Sequence, residues 1–228
     1  MQEIRAAIIG ASGYSGEELF RLLLHHPKAH IACATSRQYA GQPLGTVFPR
    51  FAETDLQFVL PRVEDIIPQA DVVFLALPHG LAVEYALPFV SAGLTVIDIS
   101  ADFRLRDPAV YELYYGRPHP SPELLDSAVY GLPERSRDSI RHANLIACPG
   151  CYPTSIILPV APLLEAGVIL TEGIAAFSMS GVSGAGRKAD LPYIFPECSE
   201  SVRPYKVTEH RHLPEIEQEL AAAAGLDS

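Results

Sequence analysis

The 228-residue chain is long enough to bury a real core, and its 48% hydrophobic and 19% charged residues are those of an ordinary globular protein. A formal charge of −10 argues against a nucleic-acid or anionic-membrane partner, which would call for a basic face. No apolar run reaches the roughly 20 residues that span a bilayer, and Met1-Gln2-Glu3-Ile4-Arg5 leads directly into strand-like sequence, so a cytoplasmic protein without a signal peptide is expected. Arg5–Ile9 is an apolar run ending in Gly10 and predicts a buried strand, followed by a helix over Glu17–His26 with Leu19, Leu22 and Leu23 on one face. Ile31–Thr35, Asp71–Leu77 and Thr95–Asp98 predict further strands, and Leu81–Val90 a helix. This alternation implies an α/β fold with a doubly wound parallel sheet covered by helices on both faces.

Beyond residue 104 the rhythm changes. Pro108–Arg141 is rich in Pro, Tyr and charge and is expected to be irregular. Ile156–Leu164 is apolar, but Pro159 and Pro162 predict a short or kinked helix. Ile174–Phe177 reads as a strand entering a Gly/Ser loop, and Leu213–Ala224 as a helix with Pro214 in its first turn and Gly225 closing it. Two domains follow: residues 1–147 binding a dinucleotide, and residues 148–228 forming part of an α/β catalytic domain with a mixed sheet.

Gly10-Ala11-Ser12-Gly13-Tyr14-Ser15-Gly16 lies between a predicted strand and a predicted helix, the context in which a glycine-rich loop holds phosphate. Gly10 allows the tight turn, Gly13 lets backbone approach a pyrophosphate, and Gly16 lets the helix pack on the strand. The second strand ends in Thr35-Ser36-Arg37 with no acid; Ser36 and Arg37 suit the 2′-phosphate of NADP rather than the free ribose hydroxyl of NAD. Pro78 and His79 follow a buried strand, where a parallel sheet binds its ligand, and belong to the cofactor environment.

Four cysteines are too few and too scattered for a disulfide framework. Cys151 follows Pro149-Gly150 at a predicted helix start, where the helix dipole favours thiolate. A thiolate needs a proton carrier, and His210-Arg211-His212 supplies two imidazoles at alternate positions. The loop Ser178–Lys188, with Ser183 and Gly184 at its centre, offers backbone N–H groups beside Arg187 and Lys188 for an anion or a cofactor.

Together with Leu77-Pro78-His79-Gly80, Ser100-Ala101-Asp102-Phe103-Arg104-Leu105, Tyr130-Gly131-Leu132-Pro133-Glu134, Pro149-Gly150-Cys151-Tyr152-Pro153-Thr154 and Ser180–Arg187, these motifs run in order along nearly the whole chain. In that set the chain resembles the N-acetyl-gamma-glutamyl-phosphate reductase family of arginine biosynthesis. The resemblance implies a Rossmann-type NADP domain, a mixed α/β domain that also mediates oligomerisation, and NADPH-dependent reduction of a small-molecule acyl phosphate through a Cys151 thioester. It further implies His210 in proton transfer, with His212 as the alternative and a substrate contact, and Arg104 as a substrate or phosphate anchor; no metal is implied. Two departures stand out: Cys148 occupies a position that is often Asn, and family members are longer, so the chain is expected to lack a C-terminal portion. The rival readings are the lysine-pathway aminoadipyl-phosphate reductase, aspartate-semialdehyde dehydrogenase, and a cofactor-binding fragment with a redox Cys148/Cys151 pair. A Cys₂His₂ zinc site would need Cys148, Cys151, His210 and His212 together.

Overall fold

The computed structural model describes residues 3–226. It divides into two compact units: the chain up to Arg106 together with His119–Cys148, and Asp107–Pro118 together with Pro149 onward.

The first unit is a seven-stranded sheet in which every pairing is parallel. Its strands are β1 (Ile4–Ile9), β2 (Ala29–Thr35), β3 (Phe58–Val59), β4 (Val72–Leu75), β5 (Thr95–Asp98), β6 (Val129–Tyr130) and β7 (Leu145–Ala147), in the order β3-β2-β1-β4-β5-β7-β6. Its helices include α1 (Tyr14–Leu23), α2 (Leu44–Val47), α3 (Val63–Ile66) and α4 (Ala82–Ser91). The order reverses at β1, between β2 and β4, so the carboxyl ends of these strands form the crevice where such sheets take ligands.

The continuous apolar run of β1 follows from burial on both faces. Ala6 and Ile8 enter a core with Leu19, Phe20, Leu23 and Phe58, while Ala7 and Ile9 enter the opposite core with Val73, Leu75, Ala86 and Phe89. Phe20 meets Phe51 and Phe58 edge-on, with ring centroids 5.9 and 6.3 Å apart. The buried face of α1 is Gly16, Leu19, Phe20 and Leu23; Leu22, expected on that face, stands outside it and is 51% exposed.

Pro108–Arg141 is not irregular. It contains α5 (Pro108–Tyr115), α6 (Pro122–Ser127), β6 and α7 (Pro133–Ile140). The Asp107 carboxylate accepts from the Ala109 N–H at 2.7 Å, Pro108 opens α5, and Gly116 ends it at φ +73°.

In the second unit, α8 runs unbroken over Cys151–Glu165, correcting the expectation of a short or kinked helix. Pro159 and Pro162 each remove an intrahelical donor. Against that, Pro153, Ile157, Ala161 and Leu164 form a buried stripe, and α10 (Leu213–Ala223) packs on this helix. Short α9 (Phe195–Cys198) lies between them in sequence. Ile174–Phe177 is not a strand, and no strand is present in this unit among the described residues. An apolar segment becomes a strand only where a neighbour pairs with its N–H and C=O groups, and none of the described residues does so here. No helix is long and apolar enough to cross a membrane among the described residues.

Candidate active site

The glycine loop meets the crevice of the first unit. Gly10 has φ +78°, and a Cβ there would lie 2.5 Å from the Ala76 carbonyl oxygen. A Cβ on Gly16 would lie 2.1 Å from the Ala11 carbonyl oxygen, so this glycine lets α1 close on the loop. The position of a Cβ on Gly13 is open space, leaving room for a pyrophosphate at the start of α1, where Tyr14 and Ser15 are exposed. Thr35 braces the loop: its hydroxyl accepts from the Gly10 N–H at 3.2 Å and its carbonyl from the Ala11 N–H at 2.8 Å. The Ser36 hydroxyl donates to that of Ser12 at 3.2 Å, and Arg37 Nη2 donates to the Tyr85 hydroxyl at 3.0 Å. Gly10, Ser12, Ser36, Arg37 and Tyr85 line one cleft of about 230 Å³ with Leu77 and Leu81. These residues fit a dinucleotide with a phosphorylated ribose.

Pro78 and His79 are exposed in the turn after β4. Buried Asp102 holds that turn, accepting from the Gly80 N–H at 2.6 Å and the Ala82 N–H at 3.1 Å. Asp102 is itself fixed from both sides. Its N–H donates to the Ser100 hydroxyl at 3.1 Å, and that hydroxyl donates to Asp98 at 2.8 Å. Its carbonyl accepts from His119 Nε2 at 3.0 Å. The Ser121 N–H donates to His119 Nδ1, which leaves the ring proton on Nε2. Burial pulls the His119 pKa down, holding the ring neutral.

Burial also pushes the Asp98 carboxyl up to about 7; the Ser100 bonds oppose the rise, the Asp102 charge adds to it and Arg104 opposes it. Arg104 is buried, with Nε on the Cys148 carbonyl at 2.7 Å and Nη2 on the Ile99 carbonyl at 3.0 Å. The Cys148 thiol is pushed up to about 11, first by burial and then by Asp98. A thiol in that condition is a poor attacking group near neutral pH. All four cysteines are free.

In the second unit Cys151 is the first residue of α8 and is exposed. The Gly150 N–H donates to buried Glu215 Oε1 at 2.9 Å, and the Gly150 carbonyl accepts from the N–H and the hydroxyl of Thr154, both at 2.9 Å. Glu215, from the first turn of α10, thus fixes the turn that presents Cys151. Pro153 offers no N–H, so the free donors expected of a helix start fall to Cys151 and Tyr152. His210 packs edge-on against Tyr152 and Tyr205, each with centroids 5.3 Å apart, and against His212 at 4.8 Å. The His212 N–H donates to His210 Nδ1 at 3.1 Å, so Nε2 carries the ring proton toward the Tyr205 hydroxyl at 3.2 Å. Burial, then Lys206 and Arg211, hold the His210 pKa below its ordinary value. The Tyr205 hydroxyl is held well above its ordinary value by burial, its bond with Tyr152 and the neighbouring Cys151.

A family model described as the semialdehyde dehydrogenase NAD-binding domain matches residues 5–143, and one described as the semialdehyde dehydrogenase dimerisation domain matches residues 151–228. The chain belongs to the semialdehyde dehydrogenase family. Its similarity to proteins named N-acetyl-gamma-glutamyl-phosphate reductase spans almost its full length. It is 56% identical to that of Akkermansia muciniphila, over 99% of this chain and 66% of that protein. The corresponding values are 52%, 98% and 64% for the Heliobacterium modesticaldum protein, and 48%, 100% and 67% for that of Methylacidiphilum infernorum. The chain therefore spans about two thirds of the length of the curated relatives it matches. Among solved structures, aspartate semialdehyde dehydrogenase II of Vibrio cholerae, complexed with ASA, shares the fold at TM-score 0.56 and 20% identity, over 82% of this chain and 49% of that one. The Candida albicans aspartate semialdehyde dehydrogenase with NADP does so at TM-score 0.53 and 20% identity, over 72% and 48%.

Within this semialdehyde dehydrogenase chain the residues singled out from sequence fall into two groups. Gly10, Ser12, Ser36 and Arg37 line the cleft of the first unit; Gly13, Tyr14, Ser15 and Gly16 continue the loop into α1, Pro78 and His79 stand in the turn after β4, and Arg104 lies in the same unit on backbone carbonyls. Cys151, His210 and His212 belong to the second, as do Ser183 and Gly184 in the exposed 3₁₀ turn Val182–Ala185. Ser178 and Ser180 at the head of that loop bond Ser155 and Tyr152 at 2.8 and 2.9 Å, and Lys188 is paired with Asp190 at 2.7 Å. Sequence reasoning missed Asp102 as the clamp, His119, Tyr152, Tyr205 and Glu215. The signal for Glu215 was a Pro-Glu pair opening a helix just after His212; for Asp102 it was an acid two residues before Arg104, just past the predicted strand Thr95–Asp98.

Proposed function

We propose that the chain carries the cofactor cleft and nucleophile of a cytoplasmic, NADPH-dependent reductase of N-acetyl-gamma-glutamyl phosphate, in arginine biosynthesis. In this reading residues 1–147 bind NADP, residues 148–228 belong to the catalytic and oligomerisation domain, and the whole protein is a homo-oligomer. The observation that carries it is Cys151 as the first residue of α8, on a turn fixed by Glu215, in the unit where Tyr205 and His210 pack together. Support also comes from the reductase names of the relatives and from the acid-free Thr35-Ser36-Arg37 end of β2.

As Cys151 attacks the acyl carbon, neutral His210 takes the thiol proton on Nδ1, giving up the His212 N–H that occupies that nitrogen at rest; phosphate leaves and a thioester remains. The Cys151 and Tyr152 N–H groups at the start of α8 receive the charge that builds on the carbonyl oxygen. NADPH, when bound in the first unit, supplies the hydride that takes the thioester to the aldehyde level. The tetrahedral adduct on Cys151 then collapses to the aldehyde with loss of its C–S bond, and protonated His210 returns its proton to the departing sulfur, so that the thiol and the neutral ring are restored. His212 orients His210 through its backbone N–H, and Arg104 braces the backbone at Cys148.

The test is phosphate-dependent reduction of NADP⁺ with N-acetylglutamate semialdehyde, the reverse reaction. Cys151→Ser is expected to lower turnover by at least about 10³-fold with NADPH binding unchanged. Residual turnover close to that of the parent chain overturns the thioester scheme. No turnover by a parent chain that still binds NADPH would instead confine it to cofactor binding.

A further inference from the structure

Arg37 is an exposed side chain at the end of β2, and a free guanidinium on such a stem samples many rotamers. Here it does not stand alone. Its Nη2 donates at 3.0 Å to the hydroxyl of Tyr85, whose ring is buried on α4 within the core that contains Val83, Ala86 and Phe89. The ring is therefore a fixed post, and its hydroxyl opens into the cleft lined by Ser12 and Ser36.

The chemistry of the acceptor matters. A phenol oxygen occupies one of the five guanidinium donors and leaves both the charge and the remaining donors for an incoming anion. A carboxylate in the same place would neutralise the charge. Such a group is close by: Glu84 is exposed, one residue earlier on α4, and its field reaches Arg37. Without the hydroxyl of Tyr85, Glu84 is left as the competitor for the guanidinium.

We propose that Tyr85 is a positioning residue that sets cofactor specificity, holding Arg37 at the ribose end of the cleft so that a 2′-phosphate, and not a 2′-hydroxyl, is bound well. This rests on the reading that the cleft takes NADPH. Ser36 and Arg37 supply the contacts; Tyr85 supplies the preorganisation, which saves the ordering that a phosphate would otherwise impose on Arg37.

Dissociation constants of NADPH and NADH, measured by calorimetry on the chain as it stands, test this without turnover. The parent chain is expected to prefer NADPH. Tyr85→Phe keeps the buried ring and is expected to weaken NADPH about five-fold while leaving NADH within about two-fold. Arg37→Ala is expected to weaken NADPH by about 30-fold or more and NADH little. Adding Tyr85→Phe to Arg37→Ala should cost nothing further, because Tyr85 acts through Arg37. Equal weakening of both dinucleotides by Tyr85→Phe, or the same loss in the Arg37→Ala background, would overturn the proposal and leave Tyr85 a packing residue. A parent chain that binds NADH as tightly as NADPH would reject the NADP reading itself.

Discussion

Phe20, Phe58 and Phe89 are sealed in the first unit, whereas Phe177 and Phe195 in the second are 98% and 79% exposed. Both sets come from apolar stretches of the same chain, so residue type does not decide their fate. In the first unit each strand finds a parallel neighbour, and the two faces of the sheet receive alternate side chains under a cover of helices. Between α8 and α10 the chain runs largely exposed and irregular, with Leu170, Phe177, Met179 and Val202 in solvent. Burial depends on the availability of a partner surface, and apolar surface of this extent is characteristic of a region that meets one. That stretch lies inside the match to the dimerisation domain.

Three substitutions press on the contrast. Phe89→Ala empties a site in the closed core and is expected to cost about 3–5 kcal/mol in urea unfolding; a cost below about 1 kcal/mol would mean that the first unit is not tightly packed there. Asp98→Asn should remove a pH dependence. A carboxyl raised to about 7 when folded, against about 4 when unfolded, holds its proton more tightly in the folded state. Its contribution to stability is full below about pH 4 and is lost as pH rises through about 7. The variant should therefore lose less stability than the parent between pH 5 and pH 8, and identical slopes in the two proteins would contradict the burial argument. Phe177→Ser is expected to shift stability by no more than about 0.5 kcal/mol while lowering self-association in sedimentation. A large destabilisation would show that Phe177 is covered in solution.

The sheet was legible in the sequence where strands were long. β1, β2, β4 and β5 announce themselves as apolar runs because both faces are buried, while β6 and β7, at two and three residues, are too short for any period to show. Two errors came from composition outweighing position. Pro and Tyr hid α5, although Asp107-Pro108 and Gly116 marked its ends, and Pro159 and Pro162 obscured a helix that is held by its packing on α10. Ile174–Phe177 erred in the other direction, since strand-like residues do not supply a pairing partner. At the candidate site, the glycine loop and the start of α8 at Cys151 were readable because backbone geometry demands Gly or Pro nearby. Asp102 and Glu215 were not, because their partners are 22 and 65 residues away and no local pattern connects them.

The prolines of α8 carry a consequence for the order in which the molecule assembles. Pro159 cannot donate to the Ser155 carbonyl, nor Pro162 to that of Leu158, so the helix has little cooperativity of its own. It depends on α10, from which it is separated by residues 166–212, and closing that long loop must precede the contact that rewards it. Pairing of α8 with α10 therefore belongs late in folding, and the same event brings Glu215 to the Gly150 N–H. The turn that presents Cys151 at the start of α8 is therefore fixed only when α10 arrives.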